Sequence, residues 1–199
     1  MEWKDYESLL ERGYETQNID YKESRAWNIK DFAKHILAMS NIENGGFIII
    51  GMRETQNGYE RTGVLYEHIQ TYDIDIMKDQ MSIYADPSTN LVMHIHSDKT
   101  GKKYIFIKIF EFDEVPVICK KDCNETKQNT IYYRNSNRRP ESAPISNTSD
   151  FKNLLERAAI KLMKKYLKLG LKISTENLEI TSEKPDDKTK YKEERQGIK

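Results

Sequence analysis

Apolar residues recur along this 199-residue chain in patterns that predict alternating helices and strands. Residues 29–40 carry apolar side chains at helical spacing, and Asn28 precedes them as a candidate N-cap. The helical pattern stops at the glycine pair 45–46, and the apolar run 47–50 then predicts a short buried strand. The sequence therefore predicts a helix that packs tightly onto a central strand, with Glu54 just past that strand.

The remaining elements follow from weaker patterns of the same kind. In chain order they are a helix over 5–12, a strand within 14–23, a hairpin strand over 59–64, a helix over 66–85, strands over 91–96, 104–112 and 131–134, and a long helix from Thr148 or Ser149 to Gly170. Strand 104–112 is almost entirely apolar or aromatic, which predicts a central position in the sheet. His35 lies off the apolar stripe of its helix, so the pattern predicts a surface histidine.

Length and charge narrow the function classes. The length predicts a single domain over residues 1–172, and the polar segment 173–199 predicts a disordered tail. Lys+Arg and Asp+Glu both number 32, so nucleic acid would have to bind at a local basic patch. No apolar run approaches the roughly 18 residues of a membrane span, and no signal-peptide pattern is present. With only two cysteines, these features predict a cytoplasmic protein without a membrane partner.

Five short motifs follow one another in a fixed order. They are Glu15-x4-Asp20-x-Lys22, Ala38-Met39-Ser40-Asn41, Gly45-Gly46 through Gly51 to Glu54, Glu114-Val115-Pro116-Val117, and Tyr133-Arg134-Asn135-Ser136-Asn137. Together they resemble the Schlafen AlbA-type family, also called divergent AAA-type, over about residues 10–145. Asp20 stands where the family usually has glutamate, and Asn135 replaces the glycine before Ser136.

The resemblance implies both a fold and a ligand class. The implied fold is α+β: a mixed, twisted sheet with helices packed mainly on one side, here followed by a long C-terminal helix. The implied partner is nucleic acid, with RNA favoured over DNA. Some vertebrate members of the family cleave transfer or ribosomal RNA, whereas many bacterial members have no shown activity, so the family alone does not decide between binding and cleavage.

In the members that cleave RNA, three acidic residues hold a divalent metal. Their counterparts by motif position are Glu15, Asp20 and Glu54. Mg²⁺ and Mn²⁺ prefer hard oxygen ligands, and such a metal activates water and stabilises a charged phosphate transition state. Lys22 would neutralise a substrate phosphate. The alternative interpretation is that these residues are solvated charges beside strands.

A second group of candidate ligands combines two histidines with two cysteines. His94 and His96 are two residues apart on one predicted strand, so both imidazoles should face the same side. Cys119 and Cys123 follow the neighbouring strand, and the set resembles the His/Cys zinc site of vertebrate Schlafen lobes. Zn²⁺ accepts mixed sets of this kind, but the favoured interpretation is exposed histidines on a half-buried strand and two unrelated thiols.

A basic loop provides the candidate nucleic-acid contacts. Arg134, Arg138 and Arg139 lie beside Ser136. Guanidinium groups bind phosphate oxygens in a bidentate manner, and phosphate contacts supply most non-specific affinity for nucleic acid. A solvated loop without a ligand is the alternative.

Two hypotheses from different classes follow. The first is a divalent-metal-dependent endonuclease that acts on structured RNA. The second is a non-catalytic module that binds or regulates DNA or RNA through the same surface. A third, minor hypothesis is a small interaction protein whose last helix forms a homo-oligomer. No Gly-x4-Gly-Lys-Ser/Thr loop occurs, so the sequence does not support a Walker-type ATP site.

Overall fold

The computed structural model describes residues 3–136 and 140–170. The helices and strands are α1 (Trp3–Glu11), β1 (Ile19–Lys22), α2 (Ile29–Ser40), β2 (Gly46–Ile50), β3 (Met52–Thr55), β4 (Gly58–Arg61), α3 (Tyr66–Ile69), α4 (Ile74–Ser82), β5 (Ala85–Asp86), β6 (Leu91–Ser97), β7 (Lys103–Ile109), β8 (Ile118–Cys119), β9 (Tyr132–Arg134), β10 (Ser142–Pro144) and α5 (Thr148–Lys168). The predicted α+β fold with a mixed sheet and a long last helix is confirmed.

The main sheet has the strand order β1-β2-β7-β6. β1 and β2 are parallel and are connected through α2, while β2–β7 and β7–β6 are antiparallel. The predicted buried strand is β2, and its residues Ile48, Ile49 and Ile50 are fully buried. β2 and β7 are the two inner strands, as their apolar composition predicts. Three further strand pairs, β3–β4, β5–β8 and β9–β10, lie outside this sheet.

The two faces of the main sheet are covered unequally. One face packs against α2, α4 and α5 in the larger apolar cluster, to which α5 contributes Leu154 and Ala158. The other face packs against α1 in a smaller cluster, which contains Leu10, Ile49 and Phe106. Most helical cover therefore lies on one side, and only the short α1 covers the other.

A buried asparagine fixes the end of α2. The Asn41 amide donates to the carbonyl oxygens of Val117 and Tyr132 at 2.8 and 2.9 Å, and its Oδ1 accepts from Val117 N at 2.8 Å. These three bonds tie the end of α2 to the strand β9 and to the segment before β8. The candidate site depends on this attachment, because β9 carries Arg134.

Two predicted elements differ from the structure. The helix predicted over 66–85 is two helices, because the Asp73 carboxylate accepts hydrogen bonds from Asp75 N and Ile76 N and so starts α4 anew. The first strand comprises only four residues of the predicted 14–23 segment, since the chain before it turns back at the Thr16–Ile19 bridge.

The contacts divide the chain into one unit up to Lys164 and a second unit from Lys165. Within the second unit, Leu169 N bonds to the Lys165 carbonyl and Gly170 N to that of Leu167. The predicted domain end at 172 and the predicted tail 173–199 lie outside the described residues. Within the described part of the chain, no helix is both long and apolar enough to cross a bilayer.

The corner between α2 and β2 gives a test of this packing. Gly45 has φ +62°, and a Cβ there would overlap the carbonyl oxygen of Ile109 on β7. Gly101 has φ +83° but faces open space. We expect Gly101→Ala to lower the free energy of unfolding by about 1 kcal/mol through strain alone, and Gly45→Ala to lower it by at least about 3 kcal/mol. Urea denaturation of both variants measures the difference, and equal losses would contradict the close approach.

Candidate functional site

The candidate site begins with a tight turn before β1. Thr16 N donates to the Ile19 carbonyl at 3.2 Å, and Ile19 N donates to the Thr16 carbonyl at 3.1 Å. This turn brings Glu15 back along the strand, where its Oε1 accepts a hydrogen bond from Tyr21 N at 2.9 Å. Glu15 and Asp20 are therefore neighbours in space although they are five positions apart in sequence.

Arg134 of β9 joins the two carboxylates. Its Nη2 lies 3.1 Å from Glu15 Oε2, and its Nη1 lies 3.3 Å from Asp20 Oδ1. The guanidinium also donates to the carbonyls of Ile19 and Thr16, at 3.2 and 3.3 Å. Only 1% of the Arg134 side chain is exposed. Within the described residues, the bonds of this buried arginine go to β1 and the turn before it, apart from a long contact to Ser142 at 3.5 Å.

Asp20 has two further neighbours. Lys22 Nζ lies 3.0 Å from Asp20 Oδ2, and His35 Nδ1 lies 3.4 Å from the same oxygen. Neither contact is a well-aligned hydrogen bond, so this oxygen is paired by charge. We call the five residues Glu15, Asp20, Lys22, His35 and Arg134 the buried ion cluster. Burial opposes ionisation of Asp20. His35, which is protonated at the low pH at which Asp20 titrates, outweighs burial together with Lys22 and Arg134, so the pKa of Asp20 lies below its ordinary value.

The pKa values of Glu15 and His35 shift in opposite directions. Burial, and after it the Asp20 charge, raises the pKa of Glu15 against the opposing effect of Arg134. Burial lowers the pKa of His35 to about 4. The imidazole is therefore neutral at neutral pH, so Lys22 and Arg134 supply the positive charge that faces Asp20.

The third predicted carboxylate lies on the hairpin next to the cluster. Glu54 of β3 is exposed and pairs in register with Tyr59 of β4. Burial raises the pKa of Tyr59, and the charges of Glu15, Glu54 and Asp20 raise it further, together with a hydrogen bond to Glu15. Glu15 and Asp20 thus both contact Arg134. Glu54 instead lies opposite Tyr59, whose phenol is hydrogen-bonded to Glu15.

A shallow cavity of about 340 Å³ opens beside the cluster, and we call it the polar cavity. Its lining includes three basic residues, Lys22, Arg25 and Arg53, and two acidic ones, Glu23 and Glu54. Arg53 pairs with Glu23 at 2.8 Å, and both side chains are more than half exposed. Arg25 is exposed and forms no ion pair within the described part of the chain.

As they are arranged, these carboxylates do not fit a divalent metal. Each of the four oxygens of Glu15 and Asp20 already faces an N–H group or an ammonium, from Tyr21, Arg134 or Lys22. A metal ion would have to displace Arg134 or Lys22 and would lie beside the other cation. Among residues 3–136 and 140–170, no group of three His, Cys, Asp or Glu side chains is placed to hold a metal.

The four candidate zinc ligands are not brought together. His94 and His96 do face the same side, where both rings stack on Tyr6 at centroid distances of 4.5 and 5.5 Å. His96 is buried there, with Nε2 2.8 Å from a Glu7 carboxylate oxygen. The cysteines belong to the opposite face of the sheet: Cys119 lies in the larger apolar cluster, and Cys123 packs against it. The sheet therefore lies between the two pairs, and the four side chains do not converge in this structure.

The predicted basic loop is only partly described. Arg134 differs from the exposed position expected for it, because it is buried against β1. Ser136 is exposed at the end of β9. Arg138 and Arg139 lie outside the described residues, so their predicted contact with phosphate stays a prediction.

Two residues of this site were missed at the level of sequence. His35 was expected at the surface but lies against Asp20, with 15% of its side chain exposed. A signal was available, because His35 follows the buried Phe32 by one helical turn. Tyr59 could have been found from the sequence Gln56-Asn57-Gly58, a hairpin-turn signal, which places Tyr59 on the returning strand, opposite Glu54.

Removal of the buried guanidinium tests the cluster. Arg134→Met should lower the free energy of unfolding by roughly 3–5 kcal/mol, because Glu15 and Asp20 would remain buried without their partner. The matched control is Arg53→Ala, which breaks an exposed arginine–glutamate pair and should cost less than about 1 kcal/mol. Urea denaturation measures both. A loss for Arg134→Met as small as that of the control would show that the guanidinium does not hold the cluster.

Comparison with known proteins places the sequence in a family. The family model described as Schlafen, AlbA_2 matches residues 15–141, which is more than half of the chain. None of the curated proteins compared matches the sequence. Two solved structures are similar at 17% identity and a TM-score of 0.47: the DIP2311 protein of Corynebacterium diphtheriae, and the N-terminal domain of a RecG-related protein of Nitrosomonas europaea.

The alignment with the Corynebacterium protein covers 75% of this chain but only 27% of that one, and the alignment with the Nitrosomonas domain covers 74% and 97%. The family match begins at Glu15 and includes Asp20, Lys22, Glu54 and Arg134. The buried ion cluster therefore lies entirely within the matched residues. The chain belongs to the Schlafen AlbA_2 family.

Proposed function

We propose that this protein binds nucleic acid, preferentially structured RNA, through basic residues beside the buried ion cluster, and that binding needs no divalent metal at Glu15 and Asp20. One observation carries the proposal: Arg134 and Lys22 already neutralise the two carboxylates at the edge of a cavity in which Arg25 and Arg53 outweigh the one acidic side chain, Glu54, that has no arginine partner there, since Glu23 is paired with Arg53. With their charge compensated, these carboxylates do not repel a phosphate group as free carboxylates would.

The polar cavity supplies the first part of the proposed contact surface. Arg25 and Arg53 present guanidinium groups there, and guanidinium binds phosphate oxygens in a bidentate manner. Tyr21 and Tyr59 also line this cavity. The second part is the segment between β9 and β10, in which Arg138 and Arg139 are proposed as phosphate contacts. β9 starts this segment directly after Arg134, so the buried ion cluster positions the strand from which the loop departs.

Family membership supports nucleic acid as the ligand class, because nucleic acid is the partner that the resemblance to this family implies. Zero net charge is compatible with this ligand, since a few local phosphate contacts suffice for salt-sensitive binding. The preference for structured RNA over DNA rests on the resemblance alone. Both nucleic acids therefore belong in the same binding experiment.

The second candidate function is a divalent-metal-dependent endonuclease. It is favoured by the placement of the three carboxylates: Glu15 and Asp20 both contact Arg134, and Glu54 pairs in register with Tyr59, whose phenol is hydrogen-bonded to Glu15. It requires a different arrangement of Arg134 and Lys22 from the one described. If Mn²⁺ supports cleavage of RNA and Glu15→Gln abolishes the cleavage while the variant still binds, the endonuclease replaces the non-catalytic proposal.

The binding proposal predicts a defined salt dependence. Fluorescence anisotropy with a labelled hairpin RNA and a DNA duplex, in EDTA, should detect binding whose affinity falls as salt rises. Arg25→Ala should weaken binding to every sequence and lower the slope of log K against log salt by about one; the double variant Arg138→Ala/Arg139→Ala should lower it by about two. Each lost phosphate contact releases one counterion fewer, which is the reason for these values.

The matched control removes two exposed lysines elsewhere, with Lys78→Ala on α4 and Lys164→Ala on α5. This variant carries the same charge change as the double arginine variant and should keep the wild-type slope. Absence of binding by the wild-type protein would overturn the proposed function. Equal slopes for all variants would overturn the proposed contact surface.

A further inference from the structure

The face of the main sheet that carries α1 is only partly covered. Phe47, Lys108 and Val92 lie side by side on β2, β7 and β6, because Phe47 pairs with Lys108 and Lys108 with Val92. Paired residues on neighbouring strands point to the same face. α1 covers the adjacent rows through Tyr6 and Leu10, whereas Val92 remains 45% exposed.

A cavity of about 260 Å³ lies over this uncovered part of the sheet, and we call it the aromatic cavity. Its rings belong to Tyr6, Phe47, His94, Phe106 and Phe110. The volume is just below the roughly 300 Å³ at which pockets for drug-sized ligands begin. Its size therefore suits one planar group rather than an extended molecule.

The rings of this cavity hold one another in place. Tyr6 stacks on His94 with an angle of 21° between the ring planes, and its edge meets Phe106 at a centroid distance of 4.8 Å. Phe110 follows the end of β7 and is 40% exposed. One side of the cavity is thus a fixed aromatic wall, and Phe110 presents a ring to solvent.

Among the described residues that line this cavity, Lys108 carries a charge and none is a carboxylate. Its Nζ lies 4.7 Å from the centre of the Phe47 ring and 5.9 Å from that of Phe110. Towards the described residues the ammonium donates one hydrogen bond, at 2.8 Å to the Asn44 carbonyl, and a partner can accept from its other N–H groups. The two phenylalanine rings favour a planar partner, and the ammonium beside them favours one that also carries a negative charge.

We propose that the aromatic cavity binds an unpaired base of single-stranded nucleic acid, with Phe110 stacking on the base and Lys108, held over the Phe47 ring, contacting an adjacent phosphate. Aromatic platforms flanked by a positive charge bind single strands without sequence preference, because every base has a flat face. The proposal rests on the proposed function for the ligand class, but it concerns a different surface. The polar cavity is lined by none of the same residues.

The test uses single-stranded oligonucleotides that contain 2-aminopurine, whose fluorescence falls when the base stacks. Wild-type protein should quench this fluorescence. Phe110→Ala should weaken binding of the single strand about 5- to 100-fold and remove the quenching, whereas Phe110→Tyr keeps a ring and should restore both. The matched control is Phe151→Ala on α5, which removes a phenylalanine of nearly equal exposure, 42% against 40%, and should bind like wild type.

The lysine has its own control on the same strand. Lys108→Ala should lower the slope of log K against log salt for the single strand by about 0.7, while the exposed Lys103→Ala should leave it unchanged. Arg25→Ala tests the polar cavity separately. Retained binding by Phe110→Ala and Lys108→Ala, with weaker binding by Arg25→Ala, overturns this inference alone, whereas absence of all nucleic-acid binding overturns both proposals. A dimer of wild-type protein that Phe110→Ala dissociates would show that a second copy occupies the cavity, and would also overturn the inference.

Discussion

The structure depends on a guanidinium that is buried between two carboxylates. Arg134 bonds to Glu15, to Asp20 and to two backbone carbonyls, so its burial is compensated by partners in nearly every direction. Removal of a charge from water costs several kcal/mol unless such partners are present. The chain therefore has to bring β9 against β1 and the turn before it, and this requirement fixes where the β9–β10 segment starts.

The need to compensate buried charge also makes the interior of the site differ from its surface. Lys22 of β1 and the neutral His35 of α2 complete the surroundings of Asp20, and Glu54 lies opposite Tyr59 on the hairpin beside this cluster. Charges are compensated inside, and basic side chains are presented outside at the polar cavity. A surface of this kind suits the binding of phosphate groups more than the coordination of a metal. The aromatic cavity has a different lining, of aromatic rings and a single lysine, which suits the binding of bases.

Sequence patterns predicted the fold well because apolar periodicity reports which residues are removed from water. The run 47–50 and the apolar strand 104–112 both became inner strands, and the helix over 29–40 formed with Asn28 as its cap. Burial of charge was not predicted, because a charged residue in sequence gives no sign of its partners. Arg134 stands next to a polar, arginine-containing segment and was therefore expected at the surface.

The two groups of predicted ligands show the same distinction. Alternation along a strand correctly placed His94 and His96 on one face, since that is a local property of the backbone. It gave no information about the face that Cys119 and Cys123 would occupy, which depends on how distant segments pack. For the carboxylates, the motif placed Glu15 and Asp20 together, but it did not reveal that an arginine 114 positions after Asp20 would lie between them.

The most direct measurement is a crystal structure of the protein soaked in MnCl₂, with an anomalous difference map collected for manganese. The account predicts that Arg134 still bridges Glu15 and Asp20 and that no manganese peak lies within ligand distance, roughly 2.0–2.6 Å, of their oxygens. A manganese peak coordinated by both carboxylates, with the guanidinium displaced, would contradict it.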